Sequence, residues 1–147
     1  MSKMRYALIP AYQPDERLIE ITKQLTANGF HVVIVDDGSG DEYADIFFEV
    51  LSYADIFIHE QNRGKGAALK TGLEAIAAKA GEDYVAVTLD ADGQHAIEDV
   101  MKVTEAAEAD PDALVLGARG FDTNVPMKSR LGNDITRCVF SFVTGVK

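Results

Sequence analysis

Val85-Ala86-Val87-Thr88-Leu89-Asp90-Ala91-Asp92-Gly93-Gln94-His95 is an apolar run that ends abruptly in two carboxylates one residue apart. Its first part, from Tyr84 to Leu89, is short, rich in β-branched residues and without alternation, which is the pattern of a strand buried on both faces of a sheet. The carboxyl end of such a strand is where ligands sit in open α/β sheets. Asp90 and Asp92 share parity, so an extended chain brings both carboxylates out on one side, roughly 6 to 7 Å apart along the backbone. Two like charges that close call for a cation, and Mg²⁺ or Mn²⁺ suits oxygen ligands while keeping positions for water and phosphates. Gln94 repeats the parity and offers a neutral oxygen ligand, and Gly93 lets the backbone turn or a ligand approach. The plainer alternative is an Asp/Gly turn capping a helix that starts near Ile97.

The surrounding chain alternates in the same way. Arg5 to Pro10 reads as a strand stopped by proline, followed by a turn at Ala11-Tyr12-Gln13-Pro14 and a helix carrying Leu18, Ile19, Ile21 and Leu25. Asn28-Gly29 is a C-cap. His31 to Val35 is a second buried strand, and it also ends in an acidic pair, Asp36-Asp37-Gly38-Ser39, with Ser39 or Asp41 able to cap a helix bearing Ile46, Phe47, Val50 and Leu51. Asp55 to His59 is a third strand, and Gln61-Asn62-Arg63-Gly64-Lys65-Gly66 opens a helix through about Lys79. After the central strand comes a helix over Ile97 to Ala109, a break at Asp110-Pro111-Asp112, and a fifth strand at Ala113 to Gly117. Strands separated by crossovers of about 10 to 20 residues predict an α/β fold, a doubly wound, mostly parallel sheet with helices on both faces. Ser129 to Thr144 has helical spacing, and the expected next strand does not follow before Lys147.

Composition narrows the function. The 147 residues suit one domain, residues 1–147, with an ordinary apolar content of 47%. A net charge of −10 argues against a general nucleic-acid surface or an anionic membrane surface. The single Cys138 excludes an intramolecular disulfide and reads as core on an apolar helical face. No run of eighteen apolar residues occurs, so the expectation is cytoplasmic. His31 opens a strand and His59 closes one, and both read as surface or edge residues. His95 either steadies Asp92 or caps the helix after it.

Polar groups from several loops converge on one sheet edge. Asp36 and Asp37 follow the second strand, and a carboxylate there can accept from a uracil imide or a guanine amino group. Tyr12 offers a ring for the base to stack on. Gly64-Lys65-Gly66 at a helix start can present N–H groups and an ammonium to phosphate, though it lacks the Walker spacing. Arg119 follows the fifth strand.

Six blocks, Ile9-Pro10-Ala11-Tyr12, Val35-Asp36-Asp37-Gly38-Ser39, Asn62-Arg63-Gly64-Lys65-Gly66, Asp90-Ala91-Asp92-Gly93-Gln94-His95, Gly117-Ala118-Arg119 and Arg130-Leu131-Gly132-Asn133, resemble in order and spacing the family 2 glycosyltransferases. They are most similar to the dolichyl- and polyprenyl-phosphate sugar transferase branch. The resemblance implies a GT-A fold that binds a nucleoside diphosphate sugar, UDP- or GDP-linked, through Mg²⁺ or Mn²⁺, and inverts the anomeric centre in one step. It implies that Pro10, Ala11 and Tyr12 line the nucleoside pocket with Asp37 on the base, and that the DXD pair, Asp90 and Asp92, faces ribose and metal beside Ala91. Gln94 then stands as a third metal ligand, and Lys65, Arg119 and Arg130 as phosphate contacts. The acceptor implied is a lipid phosphate such as a polyprenyl phosphate, or a glycan, at the inner face of a membrane in the full-length protein. Family members continue with acceptor-binding segments and a catalytic acidic residue, expected here beyond Lys147, so the chain reads as the donor part of the domain, truncated at its C-terminus. One departure is Pro14, where that branch often has Glu. A truncated sheet edge also suggests a homodimer. Rival readings are a nucleotidylyltransferase, which wants a glycine-rich basic signature where Pro10-Ala11-Tyr12 stands, and a phosphoacceptor domain, which wants its acidic pair after the first strand. A third is a non-catalytic nucleotide-sugar-binding or interaction module.

Overall fold

The computed structural model describes residues 3–81 and 83–117. Residues up to Leu116 form one compact unit. Its elements run β1 (Met4–Ala11), α1 (Arg17–Ala27), β2 (His31–Asp36), α2 (Ala44–Val50), β3 (Ala54–Ile58), α3 (Lys65–Ala80), β4 (Tyr84–Thr88) and α4 (Ile97–Ala109). The four strands form one sheet in the order β3-β2-β1-β4, and every pairing is parallel. The expected doubly wound α/β architecture is therefore present.

Strand parity divides the core. Ala7, Ile9 and Ala11 of β1 and Val32 and Ile34 of β2 face one side, where α1, α2 and α4 bury Leu18, Phe47 and Val100 against them. Tyr6, Leu8, Val33 and Val35 face the other, covered by Ala68 and Ile76 of α3. The chain moves outward through β1, β2 and β3 and then reverses, crossing β1 to reach β4, so right-handed connections require α3 to change face. On that face Gly72 sets the spacing: a Cβ there would lie 2.1 Å from Leu8 Cδ1.

Local signals act as the residues predict at several points. α1 ends with Gly29 at φ +82, while the Gly29 and Phe30 amides bond the Thr26 and Leu25 carbonyls, and Phe30 and Leu25 both enter the core. α4 covers the span expected of it.

Three expectations change. Pro10 does not stop β1, because the strand continues to Ala11 alongside Asp36. Leu8 turns its carbonyl toward Leu89 on the β4 side, so Pro10, two residues on, presents its donor-less nitrogen there after the β4 ladder has ended at Thr88. Next, β4 is half-buried, because among the described residues it pairs with β1 alone. The third change is that Ala113 to Gly117 forms no strand: Ala113 closes a turn on Asp110, and Leu114 and Leu116 are exposed. The helical pattern from Ser129 to Thr144, with Cys138, lies outside the described residues.

Candidate functional site

The sheet order places a switch point between β1 and β4, where successive crossovers depart to opposite sides and leave a crevice at the strand ends. A cleft of about 410 Å³ lies there, lined by the loops after β1, β2 and β4 and by the start of α3. Pro10, Ala11, Tyr12, Asp37, Lys65, Asp90, Ala91 and Asp92 all line it. The site residues expected on the described part of the chain are thus brought together, with Gln94 the exception.

Tyr12 is half exposed at the cleft. Behind it Gln13 adopts φ +49 and donates its amide to Ser39 Oγ at 2.8 Å. Ser39 therefore ties the β2 loop to the β1 loop, and no side chain caps the helix that follows.

Asp37 is almost fully buried at the cleft's base. Its Oδ1 accepts from His59 Nδ1 at 2.6 Å and from the Arg63 amide at 2.9 Å, and its Oδ2 accepts from the Gly64 amide at 2.8 Å. Burial alone would raise this carboxyl, but the donors of His59, Arg63 and Gly64 together hold it below its ordinary value. One acceptor position on Oδ2 remains for a ligand. The loop it anchors is packed tightly, for a Cβ on Gly38 would lie 2.4 Å from the Gln61 carbonyl carbon. His59 is the correction here: it follows the edge strand β3, as expected, but it is buried, not a surface residue, and its Nε2 lies 2.9 Å from Thr71 Oγ1 on α3. A histidine closing a strand carries no signal of this partner, since Asp37 is distant in sequence.

The β4 loop is built differently. Ala91 to Gly93 forms a turn, with Gly93 at φ +67 against the Arg17 side chain, so the chain does not stay extended through Asp92. Asp90 and Asp92 nevertheless reach the same cleft. Asp90 Oδ1 meets Lys65 Nζ at 2.5 Å, a pair open to solvent, and Asp92 Oδ1 accepts the Gln94 amide at 3.0 Å. Gln94 is exposed and does not line the cleft. His95 lines a smaller adjoining hollow with Lys65 and Asp90, and makes no cap bond to α4.

Arg17, which sequence reasoning missed, enters the cleft from the first turn of α1 and grips Asp15, whose carboxyl it lowers to about 2. Its position beside the β1 loop carries no motif. Arg119 and Arg130 lie outside the described residues.

Asp15, Asp37, Asp90 and Asp92 in this cleft outnumber Arg17 and Lys65. A diphosphate entering alone would meet net repulsion, so the site is electrostatically suited to an anion that arrives with a cation. Among the described residues no cluster of three or more His, Cys, Asp or Glu could hold a metal by itself. Two carboxylates open to solvent do fit Mg²⁺ or Mn²⁺, which commonly take one or two carboxylates and complete their shell with phosphate and water.

Comparison with known proteins agrees with this geometry. Residues 6–141 match glycosyl transferase family 2, and the chain belongs to that family. Its parallel sheet with helices on both faces is the nucleotide-binding architecture of a GT-A fold. The chain is 33% identical to a UDP-N-acetylglucosamine–dolichyl-phosphate N-acetylglucosaminyltransferase of Methanococcus voltae, covering 89% of this chain and 59% of the relative. It is 32% identical to an uncharacterized protein of Methanocaldococcus jannaschii, covering 87% and 53%. An undecaprenyl-phosphate 4-deoxy-4-formamido-L-arabinose transferase of Pseudomonas syringae is 31% identical, over 73% of this chain and 33% of its own. The chain thus spans about half the length of the first two relatives. Among the described residues no helix is long and apolar enough to cross a membrane.

Proposed function

We propose that this chain carries the donor site of a metal-dependent, inverting glycosyltransferase that moves a sugar from a UDP- or GDP-linked donor to a lipid phosphate of the polyprenyl type. The observation that carries the reading is the cleft at the β1/β4 switch point, where Tyr12, Asp37, Lys65, Asp90 and Asp92 converge. The relatives named for dolichyl-phosphate and undecaprenyl-phosphate transfer support the acceptor class.

In this reading the base stacks on Tyr12, and its imide or amino N–H donates to the remaining acceptor position of Asp37. Pro10 and Ala11 wall the nucleoside. Asp92, with Asp90, holds Mg²⁺ or Mn²⁺, which when bound neutralises charge on the departing diphosphate. Lys65 exchanges Asp90 for a phosphate oxygen as donor binds, so charge developing on the leaving group meets a cation already in place. Arg119 and Arg130 are proposed as further phosphate contacts.

Calorimetric titration of UDP and GDP, with Mn²⁺ and with EDTA, tests the site. Metal-dependent binding of one nucleotide, lost in D92A, is the expected result. Binding with no hydrolysis of or transfer from the matching nucleotide sugar would favour a non-catalytic nucleotide-sugar-binding module, and no binding of either would defeat the reading.

A further inference from the structure

His59 stands out because it is a polar ring buried at the end of an edge strand whose preceding residue, Ile58, is 71% exposed. Its amide bonds the Asp36 carbonyl at 2.8 Å, which turns the ring inward beneath the loop that leads to α3. Asp37, as a carboxylate, only accepts, so His59 Nδ1 carries the hydrogen between them. The other nitrogen meets Thr71 Oγ1. Thr22, Thr26 and Thr104 each give their hydroxyl to the carbonyl four residues back, whereas Thr71 turns its own to the ring. A hydroxyl donating to Nε2 selects the tautomer that Asp37 needs.

Asp37 then passes this constraint on. The amides it accepts, Arg63 and Gly64, are the last two residues before α3, and Gly64 sits at φ +91. Lys65, which follows, reaches across the cleft to Asp90. One ring therefore stands behind both the carboxylate at the cleft base and the lysine at its rim.

We propose that His59 is a positioning residue, oriented by Thr71, which fixes the Asp37 carboxylate and through it the Arg63-Gly64 entry to α3. Its consequence for nucleotide binding rests on the donor-site reading above; its consequence for the loop does not.

Amide hydrogen exchange at Arg63 and Gly64, and nucleotide affinity with Mn²⁺, are measured on wild type, H59L, H59N and T71V. Loss of the charge-assisted bond in H59L speeds exchange at those two amides by about tenfold or more, while Ile34 in the central sheet keeps its protection. Affinity for the nucleotide that wild type binds falls by about tenfold. H59N keeps an N–H where Nδ1 stands and retains both properties within about threefold, with T71V between the two. If H59L does not fold, H59Q, whose amide reaches toward Thr71 but not Asp37, carries the same expectation. Unchanged protection of Arg63 and Gly64 in H59L or H59Q, or equal damage in H59N, overturns the proposal. Protection lost as expected in a chain that binds neither UDP nor GDP upholds the positioning role and defeats the donor-site reading instead.

Discussion

Two strands of this sheet end in an acidic pair with glycine close behind, and the two loops do opposite things. After β2, the Asp36 carboxylate accepts the Ser39 amide, and the Asp37 carboxylate accepts from His59, Arg63 and Gly64, with one Oδ2 position left. After β4, Asp92 accepts one local amide and Asp90 meets one solvent-exposed lysine. The first loop directs most of its charge to the protein's own amides and to the His59 ring. The second keeps its charge facing the cleft, where a cation and phosphate can use it. Similar residues at similar places thus separate into a frame and a contact surface, and what separates them is how many N–H donors the rest of the fold aims at each carboxylate.

The strongest way to break this contrast is D37A. It strands the buried His59 imidazole and the Arg63 amide and leaves the Gly64 amide only Asn62 Oδ1, and a loss of about 3 kcal/mol is expected in denaturant unfolding. A loss below 1 kcal/mol, roughly the effect of a surface substitution, would show that the β2 loop is not the frame. D92A should behave conversely: stability within about 0.5 kcal/mol of wild type, and metal-dependent nucleotide affinity down by roughly 100-fold. Comparable unfolding losses in both variants would erase the distinction.

G72A probes what joins the loops, because α3 begins at Lys65 directly after Gly64. Alanine gains roughly 1 kcal/mol in helix propensity, but its Cβ must displace the buried Leu8 side chain, so a net loss of about 1 kcal/mol is expected, with weaker nucleotide binding as Lys65 moves outward. A stabilised G72A with unchanged binding would mean that the spacing of α3 is not what sets the cleft. The smallest effect is in acid. The folded-state carboxyl of Asp37 lies below its ordinary value, so its stabilisation is present above about pH 4 and lost as pH falls through the lowered value. Glu108, lowered by the Arg5 guanidinium that grips it with two bonds of 2.7 Å, has the same sign. E108Q should flatten the acid limb of an unfolding titration and cost about 1 kcal/mol at neutral pH. A limb as steep as in wild type would remove Glu108 from that account.

Much of this was legible in the sequence because its signals are local. Period and punctuation locate β1, α1, β2, α3 and α4, and Asn28-Gly29 announces the end of α1. Asp90 and Asp92 announce the cleft. What was not legible depends on partners remote in the chain. Pro10 reads as a stop until the sheet order shows which neighbour its nitrogen faces. Ala113 to Gly117 has the composition of a strand, and composition does not supply a hydrogen-bonding partner. Ser39 reads as a helix cap, but Gln13 takes its hydroxyl oxygen. The burial of His59 is hidden because nothing near it in sequence predicts Asp37 or Thr71. Gln94 carries the right parity, but the turn at Ala91 to Gly93 breaks the extended geometry on which parity depends.

The sheet order also dictates a timetable. Tyr6 finds His31 within a single strand–helix–strand unit, whereas Met4 meets Tyr84 only after three crossovers have been made. Pairings that close long loops form slowly, so β1 acquires β2 well before it acquires β4. Among the described strands, the crevice between β1 and β4 is then expected to assemble last.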